Sequence, residues 1–214
     1  MPERENMPEY LHLLPRDFYL QNSLEVAPKL IGCVVETDKG GIITSGRITE
    51  TEAYPSYDVA SHAFGNKRTP RTEIQYSEGG GLYVYQIMGL YLMTSVVVGG
   101  EDNADVVFIR SIEPLKGIEE MRQRRGYTSE DKSRLASGPG ILSIALGITR
   151  NDNGIEVYNN DSEVRVYKDD KYESEIGVGV RINLGVRGRD VEQAKLAVER
   201  QWRFFDKNSK FLSG

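Results

Sequence analysis

The chain has 214 residues, of which 39% are hydrophobic and 28% are charged, and its formal net charge is −5. These values are typical of a soluble globular protein, and the length favours one domain over two. No apolar run approaches the roughly 20 residues that a membrane-spanning helix needs, and the single cysteine excludes an intrachain disulfide. The N-terminus lacks the apolar core of an export signal. We therefore expect a cytoplasmic protein without membrane contact.

The negative net charge argues against a polyanionic partner, but the basic residues are clustered. One cluster lies in a short segment around position 70, and a second lies between positions 122 and 134. Their members are Lys67, Arg68 and Arg71 in the first, and Arg122, Arg124, Arg125, Lys132 and Arg134 in the second. Because phosphates respond to the local field, such clusters are compatible with a nucleic-acid surface. They are equally compatible with two solvated surface patches.

Turn residues and hydrophobic periodicity divide the chain into short elements. We predict helices at 23–30, 114–125, 141–146 and 191–199, and strands at 33–37, 41–54, 82–87, 91–98, 105–112, 155–158, 164–167, 177–182 and 202–205. Ser23 is expected to cap the first helix and Pro114 to begin the second. The glycine- and proline-rich segment 55–81 is expected to be a long loop with one short helix.

This pattern predicts an α+β protein, with helices around a curved, mainly antiparallel and barrel-like sheet. Residues 1–214 form one domain in this interpretation, and residues 1–11 form a flexible N-terminal segment.

The segment 46–54 carries the most informative pattern. Strict strand alternation places Ile48, Glu50, Glu52 and Tyr54 on one face. In one interpretation this face is exposed and both carboxylates are solvated. In the other they are buried, which is costly unless they are paired or used in chemistry.

Other candidate site residues are individually weak. Tyr83 and Tyr85 share a strand face, but tyrosines in strands usually only pack. His62 lies in the long loop, and the sequence contains only one other histidine, His12. One cysteine and two distant histidines give no metal-ligand cluster, and no phosphate-binding glycine loop is present. The sequence thus suggests neither a metal nor a cofactor.

Taken together, these segments resemble the alkyladenine (3-methyladenine) DNA glycosylase family, also called the methylpurine type. The resemblance covers the chain from about residue 12, with several blocks in the family's order. These blocks are RITETEAY at 47–54, SHAFGNKRTPR at 61–71, GLYVYQIMGLY at 81–91, IRSIEPLKGIEEMRQRR at 109–125, SGPGIL at 137–142, IGVGVRINLG at 176–185 and WRFFDKNSKFLSG at 202–214.

The resemblance implies a role for each matching residue. Glu52 corresponds to the catalytic acid that activates a water, and Arg110 to an arginine that helps hold that water. A flipped-out base would lie between Tyr54 and Tyr85, with His62 in contact with it and the backbone of Ala53 bonded to its edge. Contacts with the DNA backbone are expected from Lys67, Arg68, Arg71 and Gly138.

Two positions depart from the family pattern, and the loop between Tyr54 and His62 is one residue shorter than expected. Met88 stands where a tyrosine is expected to fill the gap left by the flipped base; methionine is a plausible wedge. Ser95 stands where an asparagine is expected to exclude guanine, so modified guanines should be better tolerated.

The implied activity is hydrolysis of the N-glycosidic bond of alkylated or deaminated purines flipped out of double-stranded DNA. An aromatic pocket would also attract cationic alkylated bases through its ring faces. We expect a monofunctional enzyme that acts as a monomer. The alternatives are a hydrolase of free nucleosides, a catalytically silent nucleic-acid binding module, and an RNA-binding domain of formyltransferase-like fold.

Overall fold

The computed structural model describes residues 8–186 and 188–213. Within these residues, nine strands form one antiparallel sheet. The strands are β1 (Leu11–Leu13), β2 (Val34–Lys39), β3 (Ile42–Tyr54), β4 (Leu82–Ile87), β5 (Tyr91–Val98), β6 (Asp105–Lys116), β7 (Val164–Asp169), β8 (Ile176–Gly179) and β9 (Arg203–Asp206). The order is β1-β7-β2-β3-β6-β5-β4, and β9 joins β3 and β8. The predicted α+β class and antiparallel sheet are confirmed, but the sheet does not close into a barrel.

The described residues contain four α-helices. They are α1 (Ser23–Lys29), α2 (Ile118–Arg125), α3 (Pro139–Leu146) and α4 (Val191–Glu199). Asn22, not Ser23, caps α1, because its side chain accepts hydrogen bonds from the amides of Leu24 and Glu25. Ser23 instead donates through its hydroxyl to Asp105 at 2.8 Å. No helix in the described part of the chain is long and apolar enough to cross a membrane.

The sheet has two different faces because side chains alternate along each strand. On one face, Val84, Val96 and Ile109 join the main core with apolar residues of α1, α2 and α3. On the opposite face, Tyr83 and Val97 form a separate cluster with Tyr54, Ile74, Tyr85 and Val106. The strands β3, β6, β5 and β4, which are neighbours in the sheet, thus separate the core from the face that carries the candidate site.

One predicted helix start is wrong. The strand β6 continues to Lys116, because Glu113, Pro114 and Lys116 pair with Arg47, Gly46 and Ser45 of β3. A register shift at Ser45 and Gly46 accommodates the proline, which cannot donate to a regular ladder. The helix α2 therefore begins only after Gly117, which adopts a left-handed conformation.

Residues 155–158 and the N-terminal segment also differ from the prediction. Residues 155–158 form only an isolated bridge between Gly81 and Glu156, not a strand. Leu11 belongs to β1 and pairs with Asp169, so the N-terminal segment is already ordered at this residue. Residues 1–7 lie outside the described part of the chain.

Candidate active site

A cavity of about 570 Å³ opens on the face of the sheet opposite the main core. This volume lies within the range of small-molecule sites and accommodates a purine. Its walls include the aromatic rings of Tyr54, Tyr83, Tyr85 and Phe108, contributed by β3, β4 and β6. His62, from the loop between β3 and β4, lies against Tyr85.

Glu52 lies directly beneath this cavity and is fully buried. Its Oε1 accepts a hydrogen bond from the Ile182 amide at 2.7 Å and lies 3.2 Å from Nη1 of Arg110. Its Oε2 accepts from the Tyr54 hydroxyl at 2.9 Å. These three neighbours line the cavity, whereas Glu52 itself does not. Burial raises the pKa of Glu52, and the cation of Arg110 and the two hydrogen bonds oppose the rise.

Glu50 is also fully buried, so the interpretation that places both carboxylates in water is wrong. Its Oε1 accepts from Nε of Arg110 at 3.2 Å and from Nε of Arg203 at 2.5 Å. Its Oε2 accepts from the amide of Ser213 at 2.6 Å. Glu50 thus fixes Arg110 and the C-terminal segment, while Glu52 lies next to the cavity.

A β-bulge changes which side chains share the face of the glutamates. The pairing between β3 and β6 shifts between Ile48 and Glu50, and again before Thr51. Ile48 therefore joins the main core, although strict alternation places it on the same face as Glu50. Ala53 also lies in the main core.

Ala53 does not occupy its expected position at the base edge. Its amide donates to the Trp202 carbonyl at 2.9 Å, and its carbonyl accepts from Arg181 at 3.0 Å. Both backbone groups are engaged away from the cavity, and the side chain packs in the core. Ala53 lies between Glu52 and Tyr54 in sequence, but its side chain points to the core face. The expectation that its backbone contacts the base is therefore wrong.

His62 is held by two polar neighbours. Its Nε2 accepts from Arg71 at 3.3 Å, since a guanidinium can only donate, and its Nδ1 therefore donates to the Tyr83 hydroxyl at 2.9 Å. Burial, followed by the cations Arg71, Arg189 and Lys67, lowers the pKa of His62 to about 4. The imidazole is thus neutral at physiological pH.

The two unusual positions both line the cavity, but they differ in exposure. Ser95 is buried and pairs with Tyr83 across the β4–β5 ladder. Met88 is 85% exposed at the cavity mouth and has a positive φ of 53° in the β4–β5 turn. An apolar side chain this exposed has no packing role within the chain.

The predicted phosphate contacts differ in their surroundings. Lys67 is exposed, and Arg68 is bound to Glu73 and Asp102. The Arg71 guanidinium lies over the Tyr85 ring, 5.0 Å from its centroid. Gly138 precedes α3 with a φ of 134°. In the second cluster, Arg122, Arg124 and Arg125 donate to Glu119, Glu120 and the Leu135 carbonyl.

One important side chain, Arg181, was not among the predicted site residues. Its side chain is fully buried and forms an ion pair with Asp58, also fully buried. Its guanidinium lies between the rings of Tyr54 and Trp202, 4.6 and 5.0 Å from their centroids. Only the block IGVGVRINLG could have drawn attention to it, because its partners are distant in sequence.

Comparison with known proteins identifies the family of this chain. A sequence profile of the methylpurine-DNA glycosylase family matches residues 17–210. The chain belongs to the methylpurine-DNA glycosylase family. The predicted family resemblance is thus confirmed, and it places the chain among the DNA glycosylases, which are enzymes of DNA repair.

Similar proteins span nearly the whole chain. A protein of Clostridium perfringens (strain SM101) is 39% identical over 207 residues, which cover 94% of this chain and 98% of the relative. A Bacillus cereus (strain G9842) protein is 36% identical, with 93% and 98% covered. A Natranaerobius thermophilus protein is 34% identical, with 94% and 98% covered. Each of the three is named as a candidate 3-methyladenine DNA glycosylase.

Proposed function

We propose that this protein flips a damaged purine out of double-stranded DNA and hydrolyses its N-glycosidic bond with a water activated by Glu52. The observation that carries the proposal is a fully buried carboxylate held beneath an aromatic cavity. A buried carboxylate is costly unless it is paired or used. Glu52 is held from three sides by groups that line the cavity, which is the arrangement expected of a positioned general base.

In the proposed reaction, Glu52 accepts a proton from a water whose oxygen attacks C1′ of the sugar. The bond between C1′ and the base nitrogen breaks, and its electron pair leaves with the base. The negative charge of Glu52 also stabilises the developing oxocarbenium character of the sugar. The water would bind beside Arg110, which lines the cavity and contacts Glu52. No lysine belongs to the described residues that line the cavity, so we propose hydrolysis without strand cleavage.

The aromatic walls support base flipping. A purine inside the duplex cannot be reached, and extrusion costs a few kcal/mol, less for damaged bases. Stacking on Tyr54 and Tyr85 would recover about 1–3 kcal/mol per base. Neutral His62, held by Tyr83, would contact the flipped nucleotide. Met88 would fill the gap left in the duplex.

Binding of the duplex would be largely independent of sequence, because cations of the loop around Lys67 and Arg71 contact phosphates. Gly138 would offer its backbone there, and Arg68 would have to exchange its carboxylate partners for phosphate. We propose that the protein acts as a monomer on chromosomal DNA in the cytoplasm.

Single-turnover release of hypoxanthine or 1,N6-ethenoadenine from a duplex tests the proposal. We expect the wild type to release the base and Glu52→Gln to be at least about 100-fold slower with duplex binding retained. Glu36→Gln is the matched control, because it removes a buried carboxylate paired with Arg165 away from the cavity.

Two results would contradict the proposal. Wild-type rates in Glu52→Gln would exclude Glu52 as the base. If no base is released from these duplexes, nor 3-methyladenine or 7-methylguanine from alkylated DNA, a silent binding module becomes the better interpretation.

A further inference from the structure

The segment 209–213 returns to the sheet and is anchored between the strands β3 and β6. The carbonyl of Phe211 accepts hydrogen bonds from the hydroxyl of Thr49 in β3 at 2.6 Å and from that of Ser111 in β6 at 2.7 Å. Thr49 and Ser111 are fully buried, and Phe211 is buried as well. The sheet thus determines the position of Ser213, which follows two residues later.

Ser213 is buried and binds the ion pair of Glu50 and Arg110 through both its backbone and its side chain. Its amide donates to Oε2 of Glu50 at 2.6 Å. Its hydroxyl accepts from Nε of Arg110 at 3.1 Å, and the same Nε donates to Oε1 of Glu50 at 3.2 Å. The distance to Glu50 exceeds the roughly 2.7–2.9 Å of a charge-assisted hydrogen bond, as expected when Ser213 shares the hydrogen.

The other side of the Arg110 guanidinium contacts Glu52. Its Nη1 lies 3.2 Å from Oε1 of Glu52 and donates to the Ile182 carbonyl at 3.5 Å. Arg110 therefore lies between two fully buried carboxylates, Glu50 and Glu52, which compete for its charge. Because the guanidinium is planar and rigid, the direction of its Nε–H bond also sets the direction of Nη1.

We infer that Ser213 is a positioning residue for base release, and that its hydroxyl holds Arg110 in the orientation that contacts Glu52. The hydroxyl takes part of the Nε hydrogen bond away from Glu50, so the cation is not drawn fully toward that carboxylate. Without the hydroxyl, Nε keeps only Glu50, and the guanidinium turns away from Glu52. The inference rests on the proposed function, because Arg110 is proposed to hold the attacking water there.

The titration of Glu52 reports the position of Arg110. Burial raises the pKa of Glu52, and the Arg110 cation is the largest of the influences that lower it. Tyr54 and Arg181 also lower it, and Tyr85 lies close enough to interact with the same carboxylate. Because a nearby cation favours the charged form, withdrawal of Arg110 should raise the pKa of Glu52 further.

Two measurements on Ser213→Ala test the inference. Carboxyl ¹³C NMR of the free protein, assigned with Glu52→Gln, should give a higher pKa for Glu52 than in the wild type. Single-turnover release of 7-methylguanine should have its acidic limb at higher pH. Its maximal rate should be about tenfold lower, because a misplacement of about 1 Å costs about 100-fold and this shift is smaller. Duplex affinity should not change, since Ser213 is not among the described residues that line the cavity.

Two further variants assign the effect to the hydroxyl. Ser213→Thr keeps a hydroxyl on the same carbon and should restore both the pKa of Glu52 and the rate. Ser209→Ala is the matched control, because it removes a serine hydroxyl of the same segment that accepts from the Phe211 amide at 3.1 Å. It should leave the pKa of Glu52 and the rate as in the wild type. Urea unfolding of each variant establishes that it is folded in the assays.

The outcomes separate this inference from the proposed function. An unchanged pKa of Glu52 in Ser213→Ala would overturn the inference, as would an equal shift in Ser209→Ala. A raised pKa with a wild-type rate would also overturn it, and so would Ser213→Thr behaving like Ser213→Ala. If the wild type releases no base from duplex DNA, the proposed function itself fails, whereas the NMR titration still shows whether Ser213 holds Arg110 against Glu52.

Discussion

Glu50 and Glu52 are both fully buried glutamates of one strand, yet their surroundings give them different roles. Glu50 accepts hydrogen bonds from two arginines and from the backbone of the C-terminal segment. Glu52 is held by one arginine, one amide and one hydroxyl, all at the cavity. The carboxylate next to the cavity is therefore the better candidate for chemistry, and Glu50 positions Arg110.

The raised pKa of Glu52 predicts the pH dependence of base release. Only the deprotonated carboxylate can accept a proton from water, so the rate should fall as the pH decreases through this pKa. Burial raises the pKa above 4.5, which places the acidic limb at a higher pH than for a free glutamate. The measurement is single-turnover release of 7-methylguanine, whose fixed charge removes the need to protonate the leaving base.

His62→Gln is the control for this pH profile. The pKa of His62 is lowered to about 4, whereas burial raises that of Glu52 above the value of a free glutamate, so the ring titrates below the midpoint of the expected limb. The variant can lower the rate, but the midpoint should stay in place. A midpoint below 4.5, or one that moves in His62→Gln, would contradict the assignment to Glu52.

Met88→Ala tests the proposed wedge. Met88 is 85% exposed, so its truncation should leave stability within about 0.5 kcal/mol of the wild type. Release from a duplex should fall by about tenfold, because nothing then fills the gap left by the flipped base. Release from the same lesion in single-stranded DNA should not change, because no stacked partner has to be replaced.

Leu90→Ala is the matched variant for Met88→Ala. Leu90 belongs to the same turn and is 76% exposed. An equal loss in both variants, or an equal loss on single-stranded DNA, would show that Met88 has no special role in opening the duplex.

At the level of elements, glycines decide where β6 ends and where α2 begins and ends. Gly117 and Gly126 flank α2, and both adopt left-handed conformations. A Cβ at Gly117 would lie 2.4 Å from the Ile43 carbonyl oxygen, whereas one at Gly126 would meet nothing within 4 Å. At position 117, glycine is therefore required both by the left-handed backbone and by the close contact with β3. At position 126, only the left-handed backbone requires it.

Replacement of these two glycines separates the two effects. Gly126→Ala should lower the free energy of unfolding by about 1–2 kcal/mol, the cost of a left-handed residue with a side chain. Gly117→Ala should lower it by at least about 2 kcal/mol more, because the new methyl group clashes with backbone. Urea unfolding measures both, and equal losses would contradict the packing argument.

At the level of the whole molecule, the Arg181–Asp58 pair connects segments that are distant in sequence. Asp58 lies in the loop after β3, and Arg181 lies between β8 and α4. The Arg181 guanidinium also donates to the carbonyls of Ala53 in β3 and Ala197 in α4. The pair thus holds α4 and the cavity loop against the sheet, behind Tyr54.

Removal of one partner should be more harmful than removal of both. Arg181→Met or Asp58→Leu leaves a charge buried without its main partner, which should cost about 3–5 kcal/mol. The double variant replaces the pair by apolar groups, and its loss should be clearly smaller than the sum. Strictly additive losses in urea unfolding would show that the two charges are not coupled.

Local patterns in the sequence were sufficient for several elements and for the family. The predicted strands 82–87 and 91–98 and the helix 191–199 have the observed bounds. Here glycines and the capping residue Asp190 lie beside the regular alternation or helical periodicity, so neighbours in sequence determine the backbone. The blocks around Glu52, His62 and Tyr85 were likewise recognisable without a structure, because each is a contiguous run of residues.

The tertiary structure alone decided what depends on contacts between distant segments. Bulges in β3, set by its pairing with β6, moved Ile48 into the core, and Ala53 lies on the core side as well. The pairing of Pro114 with Gly46 extended β6 where the sequence predicted a helix. The positions of Arg181 and Arg71 over the cavity rings also follow from long-range packing. A side chain's electrostatic surroundings are set by residues far away in the sequence, so no local pattern could predict which cations lie beside these rings.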